Sequence, residues 1–220
     1  MIGLNPNAES KVKSIALCVL AVVFNIGLAA QPALAQNVLA SGPSSKLHML
    51  LQKTIFGVNV LTLEIQVDLQ TQSRLQALEA LKPHPKDMDE RIVQTLYAAS
   101  HIQATMRFLR DVSFSRFTDE IRSNIACARK SGVITEAEKN RVDKGLDTWF
   151  ASIRDRGIKT GDELVYVIQP NLFHTTLRSS AGKIFVNQLD HGNEPKLSLL
   201  GGYLAPCSDF RKPLIESLMK

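Results

Sequence analysis

The chain has 220 residues, 26 Lys and Arg against 21 Asp and Glu, and three cysteines; 45% of it is hydrophobic and 6% aromatic. That length suits one domain with or without a leader, and the apolar content excludes wholesale disorder. Three cysteines exclude a disulfide-stapled scaffold and a four-thiolate zinc site, and the net charge of +5 is mild.

Residues 1–35 differ from the rest. Lys11 and Lys13 are their only basic residues and Glu9 their only acid, and an uninterrupted apolar run from Ile15 to Phe24 follows. The triplet Ala33-Leu34-Ala35 then supplies an A-x-A site, so the segment reads as a secretory signal peptide cleaved before Gln36. A membrane anchor is the rival reading, but the apolar run is far short of the roughly 20 residues a spanning helix needs. Cleavage leaves 185 residues with a net charge of +4, because Lys11, Lys13 and Glu9 leave with the leader. The expected location is periplasmic or secreted. Cys127 and Cys207 remain. In an oxidising compartment they can pair; the favoured reading is two separate small buried side chains.

Residues 36–47, with Ser41-Gly42-Pro43-Ser44-Ser45, read as a flexible start, and 48–220 as one domain. From Ile55 to Leu69 apolar and polar residues alternate, which predicts a long strand or hairpin with one wet face. Leu75, Leu78 and Leu81 predict a short helix over 73–81, ended by Pro83 and Pro85. Ile102–Val112 reads as a strand with Met106 and Phe108 on one face and Arg107 and Leu109 on the other. Phe117, Ile121, Ile125 and Ala128 then mark a helix closed by Gly132. Thr135-Glu136-Ala137-Glu138 is a capping box in which Glu138 reaches back, and Val142, Leu146, Trp149, Phe150 and Ile153 share one face of a second helix.

After Gly157 the pattern changes. Gly161-Asp162 reads as a turn, Glu163–Gln169 as a strand, and 173–179 with 183–189 as a hairpin around Gly182. Residues 196–220 read as two helical pieces broken at Pro206, the second capped by Ser208 or Asp209, with Leu214, Ile215 and Leu218 inward. The order predicts an α+β fold, with no internal repeat and no βαβ alternation.

No dinucleotide, P-loop or serine-hydrolase motif occurs. The five histidines have no metal spacing, so neither a metal site nor any other cofactor is expected. Arg107, Arg110, Arg116 and Arg122 fall close together. They read either as solvated faces or as a clamp for a carboxylate, which Arg binds in bidentate fashion. A nucleic-acid partner is not expected: stacking aromatics are scarce near them, and Asp111, Asp119 and Glu120 interrupt the run.

The stretch Met106-Arg107-Phe108-Leu109-Arg110-Asp111-Val112-Ser113, the helix pair joined at Gly132-Val133-Ile134-Thr135-Glu136-Ala137-Glu138, Lys159-Thr160-Gly161-Asp162 and Gly202-Tyr203-Leu204-Ala205-Pro206 resemble the chalcone isomerase-like superfamily, most of all its bacterial exported branch. The resemblance spans roughly residues 48–219. It implies an open-faced β-sandwich, a large antiparallel sheet against a layer of helices with an apolar ligand cleft between. Plant isomerases of the superfamily close a chalcone into a flavanone with an Arg on the enolate, a Tyr and a Lys holding a water, and an Asn and a Thr or Ser on a substrate hydroxyl. Other members bind fatty acids through the Arg and a Tyr.

Carried onto this sequence, the Arg position is Leu51 and the Tyr that follows the Phe56-x-Val58-x-Val60 pattern is Leu61. Counting back from the helix junction, the isomerase Tyr falls on Arg116, the Lys on Asp119, the Asn on Ser123 and the late Thr near Phe210. A Leu cannot stabilise an enolate. The resemblance therefore implies a non-catalytic protein that holds a small apolar ligand such as a fatty acid. Its site residues would be Arg116 and then Arg107 for a carboxylate, with Ser123, Leu51 and Leu61. The alternatives are an isomerase, or a structural protein whose cleft is filled by its own side chains.

Overall fold

In the computed structural model the described residues are 46–52 and 59–219. The stretches read above as a signal peptide and as a flexible start up to residue 45, together with Phe56 and Val58, lie outside them. Strands β1 (Lys46–Gln52), β2 (Asn59–Val67), β3 (Ile102–Phe108), β4 (Glu163–Gln169), β5 (Leu172–Arg178) and β6 (Ile184–His191) form one antiparallel sheet in chain order. Helices α1 (Leu69–Glu79) and α2 (Met88–Tyr97) connect β2 to β3, and α3 (Phe114–Lys130) and α4 (Glu136–Trp149) connect β3 to β4. Helices α5 (Glu194–Leu204) and α6 (Arg211–Leu218) follow β6.

The period-two pattern becomes register. Leu61 lies opposite Phe108, Leu63 opposite Met106 and Ile65 opposite Ala104. Across β4, Met106 faces Leu164 and Ala104 faces Tyr166. All of these are buried, so one sheet face is continuously covered by helices. The other face is polar, and its row Arg107–Glu163–Arg178 is a cross-strand charge triplet. Each buried Leu or Ile on the inner face contributes about 1.5–3 kcal/mol of apolar transfer, so a one-residue slip of register would expose the whole set.

Helix α3 starts at Ser113, whose Oγ accepts from the Arg116 N–H at 3.4 Å, and the chain turns at Gly132 with φ +74°. Thr135 caps α4 by accepting from the Glu138 N–H at 3.1 Å. Only this half of the expected capping box forms. The Glu138 carboxylate turns inward instead and takes Arg141 and Ser198. Helix α5 packs closely on α3 because Gly201 has no side chain: a Cβ there would sit 2.9 Å from Ala128 Cβ and from Val133 Cγ1.

Three sequence expectations change. Lys46 and Leu47 belong to β1 rather than to a flexible start. Helix α2 lacked a proposed element, although Ile92, Val93 and Leu96 bury one face of it. Cys127 and Cys207 are not separate: they form a disulfide with Cα atoms 5.8 Å apart, tying α3 to the loop after α5.

Candidate functional site

The sheet and the α3–α5 layer do not close completely on each other. A cavity of about 390 Å³ lies between them, at the lower end of the range of small-molecule sites. Its floor is the inner sheet face at Leu61, Met106, Phe108, Leu164 and Tyr166; its roof is Phe117, Ile121 and Asn124 of α3 with Leu199, Gly202 and Tyr203 of α5. Register orders these residues by depth. Leu61 and Phe108 form the outermost pair, Met106 and Leu164 come next, and Tyr166 lies one step deeper opposite Ala104. The small Ala104 leaves room beside the Tyr166 ring, which leans on Phe173 with centroids 5.6 Å apart.

The mouth carries the charge. Arg110 follows the end of β3 and Arg116 stands on the first turn of α3; both are exposed and line the opening. Among the described residues neither guanidinium has a carboxylate partner. Asp111 beside them is committed elsewhere. It accepts from Lys159 Nζ at 2.8 Å and from the Thr160 N–H at 2.9 Å. The Lys159 hydrogen bond, with that of Thr160, holds its carboxyl down at about 2. Glu120 also lines the mouth and is engaged in an interaction of its own.

The inner end is polar but uncharged. Tyr166 is 9% exposed and Tyr203 4% exposed. Tyr203 Oη donates to the thioether of Met106 at 3.6 Å, a weak acceptor. Tyr166 Oη has no hydrogen-bond partner among the described residues. Burial pushes both phenols well above their ordinary value, so both remain protonated donors. The nearby Ser198 hydroxyl lines the cavity and donates to Glu138 Oε1 at 2.6 Å. Glu138 is 6% exposed and Arg141 meets it through both carboxylate oxygens.

The residues named from sequence separate accordingly. Arg116 and Leu61 line the cavity. Arg107 does not: it sits on the opposite sheet face, where its Nε donates to Glu163 at 3.1 Å, because odd positions of β3 point away from the helices. Ser123 is exposed and lines a shallower polar groove outside α3, beside the disulfide. One helical position on, a rotation of about 100° brings Asn124 to the cavity against Gly202. Leu51 pairs with Leu61 through the backbone; its side chain lies outside the described residues. Arg110, Asn124, Tyr166 and Tyr203 were not singled out as site residues. No alternation pointed to Tyr166, because Leu164 to Ile168 is apolar or aromatic at every position and its burial parity is seen only in the structure.

No family model matches the sequence, and no curated protein matches it. Among solved structures, a fatty-acid binding protein of Arabidopsis thaliana is similar to this chain with a TM-score of 0.54 at 13% identity, over 82% of this chain and 89% of that one. The fold is the chalcone isomerase-like one, an α+β open-faced sandwich.

Proposed function

We propose that this chain is an exported, non-catalytic member of the chalcone isomerase-like superfamily that holds a small apolar molecule with one anionic end, a fatty acid, between sheet and helices. The observation that carries the reading is the open, apolar cavity with two arginines at its mouth that have no carboxylate partner among the described residues. Such guanidinium groups suit a carboxylate, and the apolar walls suit an acyl chain. The similar Arabidopsis structure, a fatty-acid binding protein, supports the ligand class. The leader-like start at Lys11 and Lys13 and the Cys127–Cys207 disulfide support export. Leu51 and Leu61 stand where isomerases and fatty-acid binders of the superfamily carry hydrogen-bonding groups, which supports a binding protein with its own polar contacts. A cavity of this size weighs against a cleft filled by its own side chains.

Native mass spectrometry of gently extracted protein, with titration of dodecanoic acid, tests the reading. Co-purifying acyl mass and saturable binding are expected. Replacing Arg110 and Arg116 by Gln should weaken dodecanoate binding about three- to tenfold at low salt, with the gap closing near 1 M salt. Protein without lipid and without saturable binding would overturn the proposal. Turnover of a chalcone in a spectrophotometric assay would overturn its non-catalytic part.

A further inference from the structure

We infer that the inner end of the cavity is a second recognition point, at which Tyr166 and Tyr203 bind an uncharged oxygen of the ligand, so that the favoured ligand is an acyl chain bearing a hydroxyl or carbonyl far from its carboxylate. The inference rests on the ligand-binding reading above and specifies its chemistry.

The two phenols are placed for this. Tyr166 stands on the floor and Tyr203 comes down from α5 onto Met106, which is a diagonal neighbour of Tyr166 across β3 and β4. Both side chains border the same inner space. Phe would fill either position equally well, so each phenol adds to the cavity wall a donor that packing does not require. The Tyr166 hydroxyl has no partner among the described residues and that of Tyr203 has only a thioether. A ligand oxygen would satisfy both.

The charge distribution excludes the reverse orientation. Among the described residues that line the inner end none is a cation, and Arg141 behind it is taken by Glu138 in a bidentate pair. Glu138 lies directly behind Ser198 and would repel an anion there. The uncommitted guanidinium groups are at the mouth. An anionic group therefore belongs outside and a neutral oxygen inside.

Depth sets the spacing between them. Phe108 marks the mouth and the Tyr166 level is four residues along β3, at Ala104, about 13 Å at roughly 3.3 Å per residue. An extended alkyl chain, with bonds of about 1.5 Å, advances about 1.25 Å per bond. Roughly ten to eleven bonds span the depth, which makes a terminally hydroxylated twelve-carbon acid a suitable probe.

The test is calorimetric titration of the whole protein with dodecanoic acid and with 12-hydroxydodecanoic acid, which share a carboxylate and differ at the far end. Wild-type protein should bind the hydroxy acid about five- to tenfold tighter. Tyr166→Phe and Tyr203→Phe keep the rings and the packing, and each should reduce that preference, with the double variant showing none. Equal binding of the two acids by wild-type protein, or a preference that survives in the double variant, would overturn this inference while leaving the ligand-binding reading intact. Failure of both acids to bind would overturn both.

Discussion

Replacing Cys127 and Cys207 together by Ser removes the bond between α3, which roofs the cavity with α5, and the loop that follows α5. The bridge closes a loop of sequence separation 80. In the chain-entropy treatment such a cross-link removes about 4–5 kcal/mol of freedom from the unfolded chain, and native disulfides commonly contribute about 2–4 kcal/mol. Taking about 3 kcal/mol, at about 2–4 °C per kcal/mol for a domain of this size, the melting temperature should fall by roughly 10 °C. The effect acts mainly on the unfolded state. The native contacts of Gly201 with Ala128 and Val133 hold α5 to α3 without the bridge. Ligand affinity at 25 °C should therefore change less than about threefold. Circular-dichroism melts of wild type, of wild type under reductant and of the double variant provide the assay, with thiol labelling to count free cysteines. Melting within about 2 °C of wild type in the oxidised, fully bridged comparison would refute the entropic reasoning. A collapse of affinity without a change in melting would show that the bond shapes the cavity instead.

Three further outcomes follow from single contacts. Burial raises the Glu138 carboxyl, but hydrogen bonds from Arg141 and Ser198 outweigh it and hold the group below its ordinary 4.5. Its stabilisation is therefore fully present above that pH and lost as pH falls through the lower folded value. In urea unfolding at pH 7 and pH 3, Glu138→Gln should lessen the difference between the two pH values; an unchanged difference would refute the role. Gly202→Val should reduce fatty-acid affinity at least about tenfold, because the added atoms enter the cavity from a Cβ position already 3.4 Å from Asn124 Cβ; titration with folding checked by melting would show it. Gly201→Ala should cost about 1–3 kcal/mol, since its Cβ would meet Ala128 and Val133, and chemical denaturation measures this directly.

Much of this fold was legible because its strands bury one face only. Leu61 to Val67 and Ile102 to Phe108 alternate in sequence and the structure keeps that parity, whereas Leu164 to Ile168 is apolar throughout and shows its alternation only in burial. The junction of α3 and α4 was marked by Gly132 and Thr135, where local hydrogen bonding decides, while the Ser113 cap of α3 emerged from the structure. Helix α2 carried weaker punctuation: Asp87 makes no side-chain cap bond, and the buried Ile92, Val93 and Leu96 show their value only against the core. The site was less legible for a different reason. Parity assigns a face, so Arg107 outward could be read from β3; on β4, Val165 and Val167 are as apolar as Leu164 and Ile168, and the inward face of Tyr166 could not be read. Which inward residues border an unfilled space depends on how far α3 and α5 stand from the sheet, and no local pattern encodes that. On a helix, a one-position offset moves a side chain by about 100°, enough to exchange Asn124 for Ser123 when residues are counted from a distant junction.

The same distinction explains how a cavity can persist while its chemistry moves. Its existence follows from architecture: a twisted sheet cannot lie flush along the full length of straight helices, and the gap falls where α3 and α5 meet the mouth end of β3 and β4. The fold itself is similar at 13% identity, and within this chain apolar parity and the close approach of Gly201 to Ala128 hold the layers together. Polar contacts have no such protection. A hydrogen-bonding group can be supplied from any inward position of depth comparable to the ligand atom it serves. With Leu at 51 and 61, this chain places its phenols on β4 and α5, and at the mouth the guanidinium groups of Arg110, after β3, and Arg116, on the first turn of α3. On the ligand-binding reading proposed above, preference is therefore argued from Tyr166, Tyr203, Arg110 and Arg116 in their own register, because the fold by itself does not decide which end of a ligand would be held.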